Sequence, residues 1–165
     1  MSRTGKLDRI DLKILVQLQD NGRMTNAALA DAVGLSQSPC LQRVKRLESS
    51  GYISGYGAQI ALSRLADCIT VFTEVTLRDH RREDFVRFEA GIRQVPELME
   101  CHLVSGGYDY LLKFVARSVS DYQQLMENLL DRKIGIEKYF SYIVIKSPIT
   151  RHTLPLDHLV GGEAD

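Results

Sequence analysis

The sequence has no long apolar run and few cysteines. No stretch of its 165 residues approaches the ~20 consecutive apolar residues that a membrane-spanning helix needs, and no signal peptide is visible. The three cysteines, Cys40, Cys68 and Cys101, lie far apart and show no Cys-x-x-Cys spacing, which argues against zinc and dithiol sites. We therefore expect a cytoplasmic protein with reduced thiols and no membrane association.

The sequence also lacks the signatures of common enzyme sites. It has no nucleophile elbow, phosphate-binding loop or dinucleotide fingerprint. The four histidines, His80, His102, His152 and His158, have no second ligand at i, i+4 on a helix, and His102 faces away from Cys101 on a predicted strand. These absences predict that the protein is not an enzyme and that it has no metal site and no cofactor.

Charge of one sign is not in excess overall, but the charges are separated along the chain. Residues 1–60 carry 8 Lys and Arg against 5 Asp and Glu, a net charge of +3, whereas residues 61–165 carry 13 against 16, a net charge of −3. The content of 44% hydrophobic and 25% charged residues is ordinary for a folded protein. The positive N-terminal part is where we expect an anionic partner such as nucleic acid to bind.

A helix-turn-helix pattern lies in this positive part. Thr25 is a good N-cap, and Gly34 falls where the first helix must end, because glycine adopts the left-handed conformation at little cost. Ser36 or Ser38 opens a second helix, and Pro39 lies in its first turn, where a missing N–H does no harm. One face of the second helix is apolar and contains Cys40, Leu41, Val44 and Leu47. Two short helices joined by a tight turn are typical of DNA-binding proteins.

The opposite face of the second helix has no acidic residue and has the side chains that contact DNA. Arg can donate to guanine O6 and N7, Gln can pair with adenine, and Ser and Lys can hold phosphates. The alternative interpretation is a solvated helix face in a small helical domain. We predict a DNA-binding set that consists of Gln37, Ser38, Pro39, Gln42, Arg43, Lys45 and Arg46. Within this set, the residues expected to contact base edges are Ser38, Gln42, Arg43 and Arg46.

Elements on either side of the helix pair complete an N-terminal domain. Apolar residues on one face of Leu7–Asn21 predict a preceding helix. The alternating segment Tyr52–Ile60, which contains glycines, predicts a short extended wing or a hinge strand. We therefore expect residues 1–60 to form a winged helix-turn-helix domain.

From residue 61 onwards, strands and helices alternate. Cys68–Leu77 has the period of two that is typical of a strand. The further predicted elements are a helix at Arg82–Gln94, strands at Leu98–Ser105 and Tyr108–Ala116, a helix at Ser118–Lys133 and a strand at residues 137–147. The order predicts an α+β chain with a ferredoxin-like βαββαβ domain over residues 61–165. Two helices cover only one sheet face, so we expect a homodimer through the other.

Two separated motifs give the chain a family resemblance. The first runs from Gly34 through Pro39–Glu48 to Ile53, and the second is Glu100–Leu112. Together with Leu7–Asp11 they resemble the leucine-responsive/asparagine regulator (Lrp/AsnC) family of transcription factors over nearly the whole chain. The resemblance implies an amino-acid-responsive DNA-binding regulator, whose dimers form tetramers or octamers. It also implies that the effector binds between dimers, near the hairpin that joins the second and third strands, and modulates DNA binding.

The hairpin around Gly106-Gly107 has the chemistry that a free amino acid needs. The glycines let a ligand approach main-chain N–H groups, and Asp109 can accept a hydrogen bond from its ammonium group. On its own, Gly-Gly is first of all a hairpin signal, and Tyr108 and Tyr110 are ordinary strand aromatics. With the resemblance, the predicted effector-binding set is Val104, Ser105, Gly106, Gly107, Tyr108, Asp109 and Tyr110, with Tyr139 and Ser141 added from a neighbouring subunit.

Two alternative functions come from other classes. Sirohaem decarboxylases resemble the same two-domain plan but are enzymes, and this sequence shows no basic, histidine-rich haem pocket. The second alternative is an amino-acid-binding regulatory subunit that does not bind DNA. Salt-dependent, sequence-selective DNA binding would exclude the second alternative. Many relatives have Asp at the position of Gly107, so the family resemblance does not identify the effector.

Overall fold

The computed structural model describes residues 7–160, except for the side chains of Ser63 and Asp157. By the proximity of its Cα atoms, the chain divides into a helical unit, up to Gln59 and again from Ile149, and a sheet unit, Ile60–Pro148. No helix in the described residues is long and apolar enough to cross a membrane. The elements are α1 (Arg9–Asp20), α2 (Asn26–Val33), α3 (Gln37–Ser49), a 3-10 turn (Leu62–Arg64), β1 (Ile69–Leu77), α4 (Arg82–Ile92), β2 (Leu98–Leu103), β3 (Tyr110–Ala116), α5 (Val119–Asp131), β4 (Ile136–Ile143) and α6 (Leu156–Val160).

The predicted helix pair is confirmed as α2 and α3. The Thr25 side chain accepts a hydrogen bond from the Ala28 N–H, and Gly34 ends α2 in the left-handed conformation with φ 73°. The buried residues of α1, α2 and α3 meet in one core that contains Ile14, Leu29, Ala30, Val33, Cys40 and Leu47. Leu41 was wrongly placed on this inner face, since it is 43% exposed. It lies ~100° around the helix from Cys40, which takes it beyond the contact with α1 and α2.

Of the two possibilities predicted for Tyr52–Ile60, an extended wing or a hinge strand, the strand is not formed. The amides of Tyr52 and Ile53 instead donate to the Leu47 carbonyl and close the end of α3. Residues 54–61 have neither helix nor strand. A strand needs a partner edge, and every strand in the described chain belongs to the sheet unit.

The last described segment of the chain returns to the helical unit. The Gln19 side chain exchanges two hydrogen bonds with the backbone of Leu154, each 2.9 Å long. Nearby, α6 contacts α1. The helical unit therefore includes residues from both ends of the described chain.

The sheet unit has the ferredoxin-like arrangement that the sequence predicts. All three strand pairs are antiparallel and the strand order is β2-β3-β1-β4. One sheet face packs against α4 and α5 around a core that includes Val71, Val75, Phe88, Leu112, Phe114, Met126 and Leu129. Because side chains alternate along a strand, the other face carries Phe72, Phe140 and Tyr142, and the last two are exposed.

The hairpin between β2 and β3 is confirmed, but its loop is longer than a Gly-Gly turn. Strand pairing ends at Leu103 and Tyr110, so residues 104–109 form a six-residue loop. The Val104 N–H donates to the Asp109 carbonyl at 2.9 Å and closes this loop. The predicted strands therefore extended too far toward the turn, because Gly-Gly marks only the middle of the loop.

Candidate functional sites

The structure exposes most of the predicted DNA-contacting residues on α3. Ser38, Gln42 and Arg46 are exposed and follow one another at intervals of four residues, so they form a row along the helix. The Asn26 side-chain amide donates to the Gln37 carbonyl at 2.9 Å, which fixes the start of α3 against α2. The other exposed members of the predicted set are Gln37, Pro39 and Lys45.

Arg43 differs from the rest of the set because two carboxylates of the α1 segment hold it. Its Nη1 donates to Asp8 Oδ2 at 2.6 Å and to Asp11 Oδ1 at 2.8 Å. Arg46 Nη2 contacts the other oxygen of Asp11. Asp11 is fully buried, whereas the side chains of Arg43 and Arg46 are 27% and 54% exposed. The structure therefore places Arg43 toward α1 and leaves Arg46 facing solvent.

The cluster of Asp8, Asp11, Arg43 and Arg46 shifts the pKa values of two of its members, Asp8 and Arg43. Hydrogen bonds to Asp8 and Asp11 raise the pKa of Arg43. Burial opposes ionisation of Asp8, but the Asp11 N–H and the Arg43 guanidinium outweigh it and lower the pKa of Asp8. Sequence reasoning missed a role for both acids. The available signal was their i, i+3 spacing at a helix start, where each side chain accepts the other's backbone N–H in a capping box.

The loop at residues 104–109 presents an accessible backbone. Ser105, Gly106 and Gly107 are exposed, and Val104, Tyr108 and Asp109 are half-buried. A Cβ atom added at Gly106 or Gly107 would meet no heavy atom within 4 Å. A small ligand can therefore approach the main-chain N–H groups at the tip of the loop.

Asp109 anchors this loop to the end of β1. One carboxylate oxygen accepts the Leu77 N–H at 2.7 Å, and the Asp109 N–H donates to the Val75 carbonyl at 2.9 Å. His80 Nε2 lies 3.0 Å from both carboxylate oxygens. Sequence reasoning considered His80 only as a metal-binding or catalytic residue and missed its position at the loop. The predicted acceptor for an ammonium group therefore already has two donors.

Tyr110 points away from the loop surface. Its ring is buried against Phe88, with ring centroids 4.5 Å apart, and its hydroxyl donates to Glu89 Oε1 at 2.8 Å. Burial, followed by the hydrogen bond to Glu89, raises the pKa of Tyr110. The structure thus places the Tyr110 side chain in the core, and only its backbone lies at the end of the loop.

Tyr139 and Ser141 lie on β4, which β1 separates from the hairpin. Their register partners on β1 are Val75 and Thr73, so both side chains belong to the sheet face that carries the helices. The Ser141 and Tyr122 hydroxyls are 2.5 Å apart, and Tyr122 is also hydrogen-bonded to Thr73 at 2.7 Å. One chain therefore does not bring these two residues to the loop surface.

The described residues contain no cluster of three or more His, Cys, Asp or Glu side chains that could hold a metal ion. Cys40 is buried in the helical core, and burial raises the pKa of its thiol. Exposed polar side chains lie along α3, and an accessible backbone lies at the 104–109 loop.

Comparisons with known proteins cover both regions. A family model for the Lrp/AsnC ligand binding domain matches residues 70–154, and one for winged helix-turn-helix DNA binding matches residues 7–54. Transcriptional regulatory protein DoeX of Halomonas elongata is 48% identical over 142 residues, 86% of this chain and 90% of that protein. The leucine-responsive regulatory protein of Escherichia coli K12 is 43% identical over 145 residues, 87% and 88% of the two chains. A transcriptional regulator of Neisseria meningitidis, solved as an L-Met complex, is 34% identical with a TM-score of 0.86 and covers 93% of this chain and 99% of its own.

Proposed function

Because this chain belongs to the Lrp/AsnC family of transcriptional regulators, we propose that it binds double-stranded DNA through α3 under the control of a free amino acid. The observation that carries the proposal is the exposed row Ser38, Gln42 and Arg46 on the second helix of the pair. We assign DNA binding to residues 1–60, and effector binding and oligomerisation to residues 61–165, of which the segment from Ile149 packs in the helical unit.

The exposed row suits the major groove of DNA. Residues four apart on a helix are separated by ~6 Å along its axis, so three such side chains can contact different base pairs along the groove. Arg46 can donate to guanine, Gln42 can pair with adenine, and Ser38 can contact a base or a phosphate. Lys45 lies beside the row and suits a phosphate contact.

A binding measurement with two duplexes tests this function. One duplex is selected by the protein from a randomised library, and the other is a scrambled duplex of the same composition. We expect tighter binding to the selected duplex and a loss of affinity as the KCl concentration rises, because phosphate contacts release counterions. Equal affinity for both duplexes, or no binding, would contradict the proposal and favour a regulatory subunit that does not bind DNA.

The effector site that we propose is built on the 104–109 loop. The accessible N–H groups at Gly106 and Gly107 suit a carboxylate, and Asp109 suits an ammonium group. Val104 and Tyr108 lie in the loop on either side of the two glycines and suit the apolar part of the ligand. The L-Met complex of the Neisseria regulator supports an α-amino acid as the ligand class.

A homodimer through the sheet face opposite α4 and α5 is the second part of the proposal. The exposed rings of Phe140 and Tyr142 on this face favour a protein partner over water. Further association into tetramers or octamers would bring Tyr139 and Ser141 of a neighbouring subunit to the loop. Light scattering of the purified protein tests the assembly, and a monomer at micromolar concentration would contradict it.

A thermal-shift screen against the standard amino acids tests the effector. A ligand that binds only the native protein raises its stability by about 2.7 kcal/mol at one hundred times its Kd. We expect one or a few apolar amino acids to raise the unfolding temperature. If none does at millimolar concentration, the proposed ligand class is wrong even where DNA binding is retained.

A further inference from the structure

We propose that Asp11 is a positioning residue of the DNA interface, which directs Arg46 toward a base and holds Arg43 away from DNA. The sequence preference of α3 would then depend on a carboxylate of α1 that does not touch DNA. Asp11 has this role only if α3 binds DNA, so the inference rests on the proposed function.

The surroundings of Asp11 explain why it must hold these arginines. Its carboxylate is fully buried, and a buried carboxylate is unfavourable unless cations and N–H groups compensate it. The Asp8 N–H donates to one oxygen at 3.1 Å, and the cations at the two oxygens are Arg43 and Arg46. Both cations belong to α3, so the position of the recognition helix is coupled to α1.

The two arginines are held in different ways. A single nitrogen of Arg43 bridges Asp8 and Asp11, and most of this side chain is covered. Arg46 contacts Asp11 through one terminal nitrogen and has more than half of its side chain exposed. A guanidinium is a planar group with five N–H donors, so fixing one nitrogen orients the donors that face solvent. Arg46 is therefore preorganised for a planar base edge, and Arg43 closes the contact between the helices.

The cluster also limits binding to random DNA. The two carboxylates balance the charges of Arg43 and Arg46, so the four side chains together add no net charge to the face. Attraction to phosphates is independent of sequence and grows with the number of cations that reach them. Keeping both arginines on a carboxylate therefore favours base contacts over phosphate contacts.

The substitution Asp11→Asn keeps the size of the side chain and removes the charge that holds both arginines. We expect the affinity ratio between the selected and scrambled duplexes to fall about tenfold, the value of one good base contact. The released arginines can reach phosphates, so the slope of log affinity against log salt should steepen by ~0.9 for one further contact.

The control is Asp20→Asn, which makes the same charge change at an exposed position in the last turn of α1. This variant should retain the duplex ratio of the wild-type protein. If both variants lose preference equally, the effect is one of net charge and the inference is wrong. If Asp11→Asn weakens both duplexes equally without steepening the salt slope, Asp11 is only a structural residue and the inference is also wrong.

A second variant covers the case in which Asp11→Asn fails to fold, as judged by circular dichroism. Arg46→Lys alters an exposed side chain, retains its charge and removes the planar group. Its affinity ratio between the selected and scrambled duplexes should fall about tenfold, and an unchanged ratio would overturn the inference. If the wild-type protein binds the selected and scrambled duplexes equally, both the proposed function and the role of Asp11 are wrong. If the wild-type protein prefers the selected duplex and the variants keep that preference, only the role of Asp11 is wrong.

Discussion

His80 lies with Nε2 at 3.0 Å from both carboxylate oxygens of Asp109, at the base of the 104–109 loop. The carboxylate also accepts the Leu77 N–H. An ammonium group that binds Asp109 must therefore share the carboxylate with the imidazole or displace it. His80 therefore lies within the proposed effector site, where its imidazole and the ammonium group of the ligand would share one carboxylate or compete for it.

Substituting Asp109 should separate effector binding from DNA binding. We expect Asp109→Ala to retain DNA affinity and to lose the effector response in a mobility-shift assay. The Leu77 N–H would lose its acceptor, so the free energy of unfolding should also fall by about 1–3 kcal/mol. Asp109→Asn is the matched control, since it keeps an acceptor for Leu77 but removes the charge. An unchanged effector response in both variants would show that Asp109 does not bind the ligand.

The two glycines of the loop should respond differently to substitution. Gly107 has open space around it and no positive φ, so Gly107→Asp should change stability by less than ~0.5 kcal/mol while altering which amino acid binds. Gly106 has φ +152°, so Gly106→Ala should cost about 1–3 kcal/mol of backbone strain. Urea unfolding and the thermal-shift screen measure the two effects. Equal stability losses would mean that the loop conformation differs from the one described.

Asp8 should give the helical unit a measurable acid sensitivity. Its folded-state pKa lies below the ordinary value of 3.8, so ionised Asp8 stabilises the folded protein above that pH. This contribution is lost as the pH falls through the folded-state pKa. It should amount to less than ~1 kcal/mol, because half of the side chain is exposed and solvent screens the pair.

Asp8→Asn tests this acid sensitivity. Asparagine is also a good N-cap, so the variant removes the charge and keeps a capping group. Urea unfolding between pH 2 and 6 should show the wild-type protein losing more stability than the variant below about pH 3.8. If the free energy of unfolding depends on pH in the same way in both proteins, the acid sensitivity comes from groups other than Asp8.

A side chain at Gly91 on α4 should be destabilising while Ile134 is present. An added Cβ would lie 2.5 Å from the Cγ2 atom of Ile134. Overpacking costs about 1–3 kcal/mol, whereas alanine gains ~1 kcal/mol in helix propensity, so we expect Gly91→Ala to lower stability by up to ~2 kcal/mol. In an Ile134→Ala background the same change should be neutral or stabilising. A double-mutant cycle without such coupling would contradict this packing.

Features that depend on local chain geometry could be predicted from the sequence. Thr25 and Gly34 mark the ends of α2 because N-caps and left-handed glycines act within a few residues. The period of two in β1 and the order of elements likewise gave the ferredoxin-like unit. Of the two interpretations of Tyr52–Ile60, an extended wing or a hinge strand, the strand was wrong, because local pattern does not supply the partner edge that a strand requires.

Features that depend on tertiary contacts could not be predicted. Asp11 and Arg46 are 35 residues apart, and no local pattern indicates that a recognition-helix arginine has a buried partner. The same holds for His80 and Asp109, which are 29 residues apart and meet only because β1 and β3 pair. The residue types of both sites were visible in the sequence. The hydrogen-bond partners of these residues, Asp11 for Arg46 and His80 for Asp109, were not.

The return of the chain to the helical unit has a consequence for dissecting the protein. The chain leaves this unit after Gln59 and re-enters it at Ile149. In sequence, the sheet unit is therefore an insertion within the helical unit. A fragment truncated at residue 60 would lose the hydrogen bonds between Gln19 and Leu154, and with them part of the packing of the helical unit. A minimal DNA-binding protein is therefore better made by replacing residues 60–148 with a flexible linker, and another sensor could be grafted into the same gap.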